Sequence, residues 1–423
     1  MNTTSLSEPD AAQQRTVRWA LALFAAFVLL QRLSVPGLTN VSLLLPLALG
    51  WSALGLVRGV VEFDPQRTAA WIAAASTTAL VAPLQLTFDK APMISNMSWA
   101  LLLVQFFPAT LRFRDRRQET VNTALRGMAR ICCWLAGLSV LFMASQLVVP
   151  YSDWVATVLP KSVILEGFNT SYPVSYGSAI YKSNAWICLE ASFLSYVMAV
   201  GILAALMTGM SVWVVLWLLV GLFSSASGSG FAILVVGILV MLVTGRGQTL
   251  KRFAWPAVIA LAGALSTPFG RNLLGRVGEL QDSRSSGSVR TFAPYVEMFP
   301  HWIADQSALI LGRGAGSSQR LVSQTGIHGL LNPTLMKIFF DYGLVAGTVL
   351  FIFVWSLYTR SADPTLAVAI AVSMWTLQTA NVPFVVCVLC TVTLWAPNFS
   401  ARESREFKRT IEPARRAPTL STT

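Results

Sequence analysis

Six arginines and both histidines of this chain fall within residues 270–333: Arg271, Arg276, Arg284, Arg290, Arg313 and Arg320, with His301 and His328. No lysine accompanies them, and four acids (Glu279, Asp282, Glu297, Asp305) leave the stretch at +2. Arginine without lysine suits forked recognition of phosphate or carboxylate better than diffuse positive charge does. A solvated loop with internal ion pairs is the competing reading; the concentration of both histidines in the same stretch favours a site. Within it, Gly312-Arg-Gly314-Ala-Gly316-Ser-Ser can offer backbone N–H groups to an anion, although no strand precedes it and such a run is often only a turn. Glu190, in Trp186-Ile-Cys-Leu-Glu190-Ala-Ser192, opens an apolar run. An ionisable group at membrane depth usually faces a cavity or a partner; a snorkelling interfacial acid is the plainer alternative. Lys337 and Asp341 are spaced i, i+4, so they are expected to pair with each other, structurally rather than catalytically.

The elements that must position these residues follow from composition. Of 423 residues, 54% are hydrophobic and 12% are Asp, Glu, Lys or Arg, half the charge of a soluble globular protein, which carries about 25%. This excludes a soluble enzyme, a disordered chain and a disulfide-stapled secreted domain. The apolar runs are continuous rather than alternating, so the expected fold is all-α, a polytopic transmembrane helical bundle and not a barrel. With about 20 apolar residues per span, the sequence offers about twelve spans: roughly 17–35, 38–57, 68–88, 91–111, 126–149, 186–207, 211–225, 228–244, 253–269, 334–357, 365–380 and 382–398. Several are short, and ten or eleven stays open. A cytoplasmic tail, 1–16, precedes the transmembrane domain, 17–398, and a basic cytoplasmic tail, 399–423, follows it. Extracytoplasmic loops are expected at about 150–185 and 270–333, the larger between the ninth and tenth spans.

Charge sets the orientation. Net charge is +12, and the basic residues crowd the ends of apolar runs, as the positive-inside rule requires; nucleic acid is not an expected partner. With both termini cytoplasmic, twenty basic residues fall inside and ten outside, while Lys337 lies in a span. The basic tail (Arg402, Arg405, Lys408, Arg409, Arg415, Arg416) fits anionic membrane lipid. Cys132, Cys133, Cys188, Cys387 and Cys390 all sit in apolar runs and read as packing residues. No Cys/His spacing supports a metal, and no cofactor is implied. The polar start Met1 to Gln14 lacks a basic n-region, so the first span is expected to stay as an anchor. Ser224-Ser-Ala-Ser227-Gly-Ser-Gly230 is expected to let helices approach closely or to break one between spans.

Four segments in order resemble the O-antigen ligase and polymerase superfamily of bacterial surface-polysaccharide enzymes. Lys182-Ser-Asn-Ala-Trp-Ile-Cys-Leu-Glu190-Ala-Ser192 resembles the family's basic residue and aromatic stretch before Glu-Pro-Ser, with Ala191 in place of proline. Ser227-Gly-Ser-Gly230 resembles its small-residue segment, without the arginine often found there. Ser286-Gly-Ser-Val-Arg290, Pro300 and Leu311-Gly-Arg-Gly-Ala-Gly316 resemble its loop arginine followed by a Gly-x-Gly-x-Gly turn. Asn332-Pro-Thr-Leu335 with Asp341-Tyr-Gly343-Leu-Val-Ala-Gly347 resembles its final helix entry. The resemblance covers about 182–347. Leu331 stands where ligases commonly carry a histidine; His328 lies three residues earlier, and whether it takes that place is open. The looser pattern leans toward a polymerase.

The resemblance implies a glycosyltransferase in the bacterial cytoplasmic membrane. The donor would be an oligosaccharide on a polyprenyl diphosphate and the acceptor a glycan hydroxyl outside the membrane; a chain-length regulator is a candidate partner. Breaking the anomeric C–O bond releases a lipid diphosphate, whose charge arginines in a dehydrated pocket can stabilise without a metal. Arg290 is the first candidate for that diphosphate, then Arg271 and Arg276. A base must activate the acceptor hydroxyl: His328 leads, with Glu190 and Asp341 behind it. Gly312, Gly314, Gly316 and Asn332 would shape the loop. The stretch 150–185, with Tyr151 and Trp154, either shapes a glycan groove or is an interfacial connector. Ligase-type transfer to a final acceptor is the alternative. A lipid-linked glycan or polysaccharide transporter is the rival of a different class; it calls for mid-membrane charges and pseudo-symmetric halves.

Overall fold

The computed structural model describes residues 10–88, 94–174, 178–266, 289, 292–327, 330–376 and 381–397. The chain is mostly helical, and each of the twelve apolar runs contains helix. Three helices are long and apolar enough to cross a membrane: Pro65–Phe88, Gln118–Ser145 and Thr334–Thr359. Leu44–Val57, Ala191–Met207, Val212–Ser224, Gly228–Val243, Pro364–Trp375 and Val382–Thr393 are shorter and also apolar. Helix starts are set locally: the carboxylates of Asp10, Asp153, Asp305 and Asp363 and the Ser95 hydroxyl each accept an N–H of the turn they open.

Ala191–Met207 is the central helix. From Ala191 to Leu206 every side chain is buried, as expected of a helix that is apolar all round. Neighbouring helices reach it through small residues. A methyl group on Gly201 would run into Cys132, one on Gly237 into Leu203, and one on Gly230 into the Ser195 carbonyl. Cys132, Cys188, Cys387 and Cys390 are buried free thiols and Cys133 is half-buried. Large apolar side chains also cover the outside, with Trp134 81% and Trp213 79% exposed.

The connections between helices form two sets. At the Asp10 end, Val61–Phe63 pairs antiparallel with Leu111–Phe113, Asp10 bonds Arg117 at 2.7 Å and Asp363 bonds Arg246 at 2.8 Å. Arg67 is fully buried there, its guanidinium donating to the carbonyls of Leu111, Arg360 and Thr393. At the Arg32 end, Ser34–Val35 pairs with Leu38–Ser42, and Leu33 bridges Ile164. Ser183 N–H donates to Ser224 O at 3.1 Å, Ser95 N–H to Ala315 O at 2.9 Å, and Tyr295 OH to Trp375 O at 2.8 Å. The Asp10 set follows even-numbered apolar runs or the N-terminus; the Arg32 set follows odd-numbered ones. These short strands are an addition to the all-α expectation.

One expected span is not straight. Thr334–Thr359 bends at Gly343, whose φ of 64° and ψ of −170° are non-helical. A Cβ on Gly347 would lie 3.0 Å from the Ile338 carbonyl, and the rings of Phe339 and Phe351 are 5.9 Å apart. Twelve residues of straight helix would separate those two by about 18 Å. The piece 334–342 therefore folds back against 344–359, and the run 334–357 is two helical pieces rather than one rod.

Candidate functional site

The Asp341 carboxylate is the centre of one polar node. It is completely buried and accepts from Gly316 N at 3.1 Å, Ser318 N at 2.8 Å, the Ser317 hydroxyl at 3.2 Å and Lys337 Nζ at 3.0 Å. Lys337 also reaches the Ser98 hydroxyl at 3.5 Å. Backbone N–H groups of the glycine run do face an anion, as its sequence suggests, and that anion belongs to the chain itself. Asp341 thereby caps the helix Ser317–Gln324 from 23 to 25 residues away, where a carboxylate opposes the positive end of the helix dipole. The expected Lys337–Asp341 pairing is present.

Around this node the backbone is tightly crossed. Gly312 (φ +82°) lies on Gly343 (φ +64°), and a Cβ on either would strike the backbone of the other. Gly314 N–H donates to Asp341 O at 3.0 Å, and Gln85 Nε2 donates to Leu311 O at 2.6 Å and Asp341 O at 2.9 Å. Asn332 Nδ2 donates to the Ser318 hydroxyl at 2.8 Å. Gly312, Gly314, Gly316, Asn332 and Asp341 are thus brought together. Gln85 and Ser98 were not singled out from the sequence, although a glutamine inside the apolar run 68–88 is a signal of the kind that marks buried polar contacts.

A second node surrounds Glu190, half-buried at the start of the central helix. Its carboxylate accepts from Asn169 N at 3.2 Å and the Ser192 hydroxyl at 3.0 Å. One turn on, the Ser195 hydroxyl contacts that of Ser229 at 2.9 Å and accepts from Gly230 N at 3.1 Å. The Ser227–Gly230 run therefore meets the Glu190–Ser195 segment, the close approach its small residues permit. Ser139 adds buried hydroxyl contacts to Ser183 and Ser224.

The stretch 150–185 is fastened to the same end. Arg32 binds Asp153 with two parallel bonds of 3.0 and 2.6 Å and donates to Trp186 O at 2.6 Å. Burial alone would raise the Asp153 pKa, but hydrogen bonds from Arg32 and Thr170 and the Arg32 charge bring it below the ordinary aspartate value. Rings of Phe142, Tyr151, Tyr181 and Trp186 pack nearby, with centroids 4.8–5.4 Å apart. A separation of 121 positions between Arg32 and Asp153 leaves this pair invisible in the sequence.

Of the outer-loop arginines, Arg313 donates through Nε and Nη2 to His301 O at 3.1 and 2.7 Å, and Arg320 is exposed. Arg271, Arg276, Arg290 and His328 lie outside the described residues, as do the basic-tail residues. Compared with known protein families and with characterised proteins, the sequence matches none.

Proposed function

We propose that this chain is a membrane glycosyltransferase of the cytoplasmic membrane. It would extend a glycan by transfer from a polyprenyl-diphosphate donor to a sugar hydroxyl at the Arg32 end, which faces outward. The observation that carries the reading is that described parts of the family-like segments pair: Ser229 meets Ser192, and Gly316 meets Asp341, with Asn332 on the neighbouring Ser318. Segments that merely chanced to resemble a family in order would have no reason to pair at one end of a bundle.

The membrane placement is supported by the exposed apolar outside, since a soluble protein rarely carries contiguous apolar patches of this extent. On Gln118–Ser145 the exposed face turns from basic to apolar between Arg130 and Trp134, the pattern of a cytoplasmic boundary. Twelve spans with both termini inside fit the two sets of connections.

In this reading Arg290, Arg271 and Arg276 hold the diphosphate and His328 is the leading base. Among the described residues Glu190 is the better-placed carboxylate, because Asp341 has its lone pairs filled by the chain's own donors and serves to position the loop. Attack by the acceptor oxygen forms the new glycosidic bond as the anomeric C–O bond to the diphosphate breaks. The acceptor proton passes to the base, and the anomeric carbon inverts.

The test is glycan chain length in cells carrying Arg290→Ala at normal membrane abundance. Single lipid-linked repeat units should accumulate; long lipid-linked chains that never reach a final acceptor would establish the ligase alternative. Unchanged glycan in that variant and in a full deletion would refute the reading. A transporter reading draws on the helix break at Gly343 beside a buried acid, a feature of discontinuous transporter helices. It predicts instead that complete lipid-linked donor accumulates on the cytoplasmic side.

A further inference from the structure

We infer that the helix Ala293–Ile303 is a membrane-surface helix whose exposed apolar stripe is seated in the outer leaflet of the bilayer. The sequence places this segment in an aqueous loop, yet its side chains divide into three sectors. Pro294, Met298 and Trp302 are buried, and Met298 and Trp302 share an apolar cluster with Phe340 and Met336 of the 334–342 piece. Phe292, Val296, Phe299 and Ile303 are 58%, 68%, 47% and 48% exposed. At 100° per residue those four fall within about 60° of arc. Glu297 and His301 occupy the remaining, polar sector.

A helix in water needs one apolar sector to bind its protein. A second, exposed one beside it needs another apolar medium. The bilayer is that medium here because the helix adjoins the apolar outside of the bundle: Tyr295, on the flank of the stripe, stacks on Trp375 at 4.9 Å and 21°, and Trp375 is itself exposed at the end of an apolar helix. Tyrosine and tryptophan side by side are typical of the membrane–water boundary. Docking in this way would hold Arg313, bonded to the His301 carbonyl, at the level of lipid headgroups. The inference rests on the membrane reading above.

The experiment labels single cysteines with bimane in the full chain carrying Cys133→Ala, reconstituted in phosphatidylcholine vesicles. Val296→Cys and Phe299→Cys test the stripe, Leu239→Cys reports the apolar outside of the bundle, and Gln319→Cys reports exposed polar surface. Quenching by dibrominated phosphatidylcholine at 296 and 299 should match that at 239, with blue-shifted emission, while 319 responds only to aqueous iodide. If 239 is quenched by brominated lipid but 296 and 299 respond to iodide, the stripe faces water and the inference fails. If 296 and 299 are shielded from both quenchers, protein covers them, a second copy included, and the inference fails equally. No lipid quenching at 239 would remove the membrane reading itself.

Discussion

Gly312 and Gly343 lie backbone against backbone, each in a positive-φ conformation, and each occupies the space where the other's Cβ would be. This crossing holds the glycine loop in the bend of the last long helix and sets the Asp341 carboxylate beneath the loop amides.

Gly343→Ala should therefore suffer twice, from overlap with the Gly312 backbone and from a φ/ψ region that only glycine occupies freely, a strain of about 1–3 kcal/mol by itself. Gly326→Ala is the control: Gly326 also has a positive φ, +68°, but nothing lies within 4 Å of its added Cβ, so only strain of roughly 1–2 kcal/mol applies. Melting temperatures of the purified variants in detergent should fall much further for Gly343→Ala. Equal losses would mean that the crossing carries no packing cost.

Asp341→Asn should destabilise by about 3–5 kcal/mol, the cost of breaking a buried ion pair while its partner stays charged. Adding Lys337→Met should recover part of this by removing the stranded ammonium, but not the acceptor that one of Gly316 N and Ser318 N loses, because they bond different oxygens and the amide keeps only one. If Asp341 positions the loop, activity per folded molecule should survive better than yield does. A well-folded but inactive Asp341→Asn protein would return this residue to the list of bases.

The Arg32–Asp153 pair gives stability a pH dependence of definite sign. Because the folded-state pKa of Asp153 is depressed, its contribution is complete above the unfolded value of about 3.9 and is lost as pH falls through the folded one. Arg32→Gln should cost on the order of 3 kcal/mol at neutral pH and should flatten the acid limb below about pH 4. Parallel acid limbs for the two proteins would show that the pair does not titrate with folding.

Orientation can be read with a membrane-impermeant maleimide on intact cells. Lys161→Cys, at the Arg32 end, should label from outside, whereas Arg114→Cys, exposed at the Asp10 end, should label only after permeabilisation. The reverse pattern would invert the assignment of the two ends.

The helices were legible because apolar runs long enough to form them are a property of the sequence alone, as was Lys337–Asp341, a pair within one helical turn. The bend was not: Asp341-Tyr-Gly-Leu-Val-Ala-Gly347 reads as ordinary apolar helix, and Gly343 becomes a break only when Gly312, 31 residues earlier in the chain, occupies the space above it. A separation of 23 to 25 residues hides the anion of the glycine run. Its N–H groups were recognisable from residue types, but the carboxylate they hold comes from another element. Arg32 and Asp153, 121 positions apart, carry no local signal of their pairing.

The buried Arg67 has a consequence for how the chain is completed. Two of its carbonyl partners, from Arg360 and Thr393, are separated from it by 293 and 326 residues. At synthesis rates of about 5–20 residues per second, the guanidinium waits roughly tens of seconds between leaving the ribosome and meeting them. Assembly is thus closed late, and the helix Val382–Thr393 acts as a latch on a charge buried in an early helix. A chain ending before Thr393 would leave that guanidinium without one of its three carbonyl acceptors.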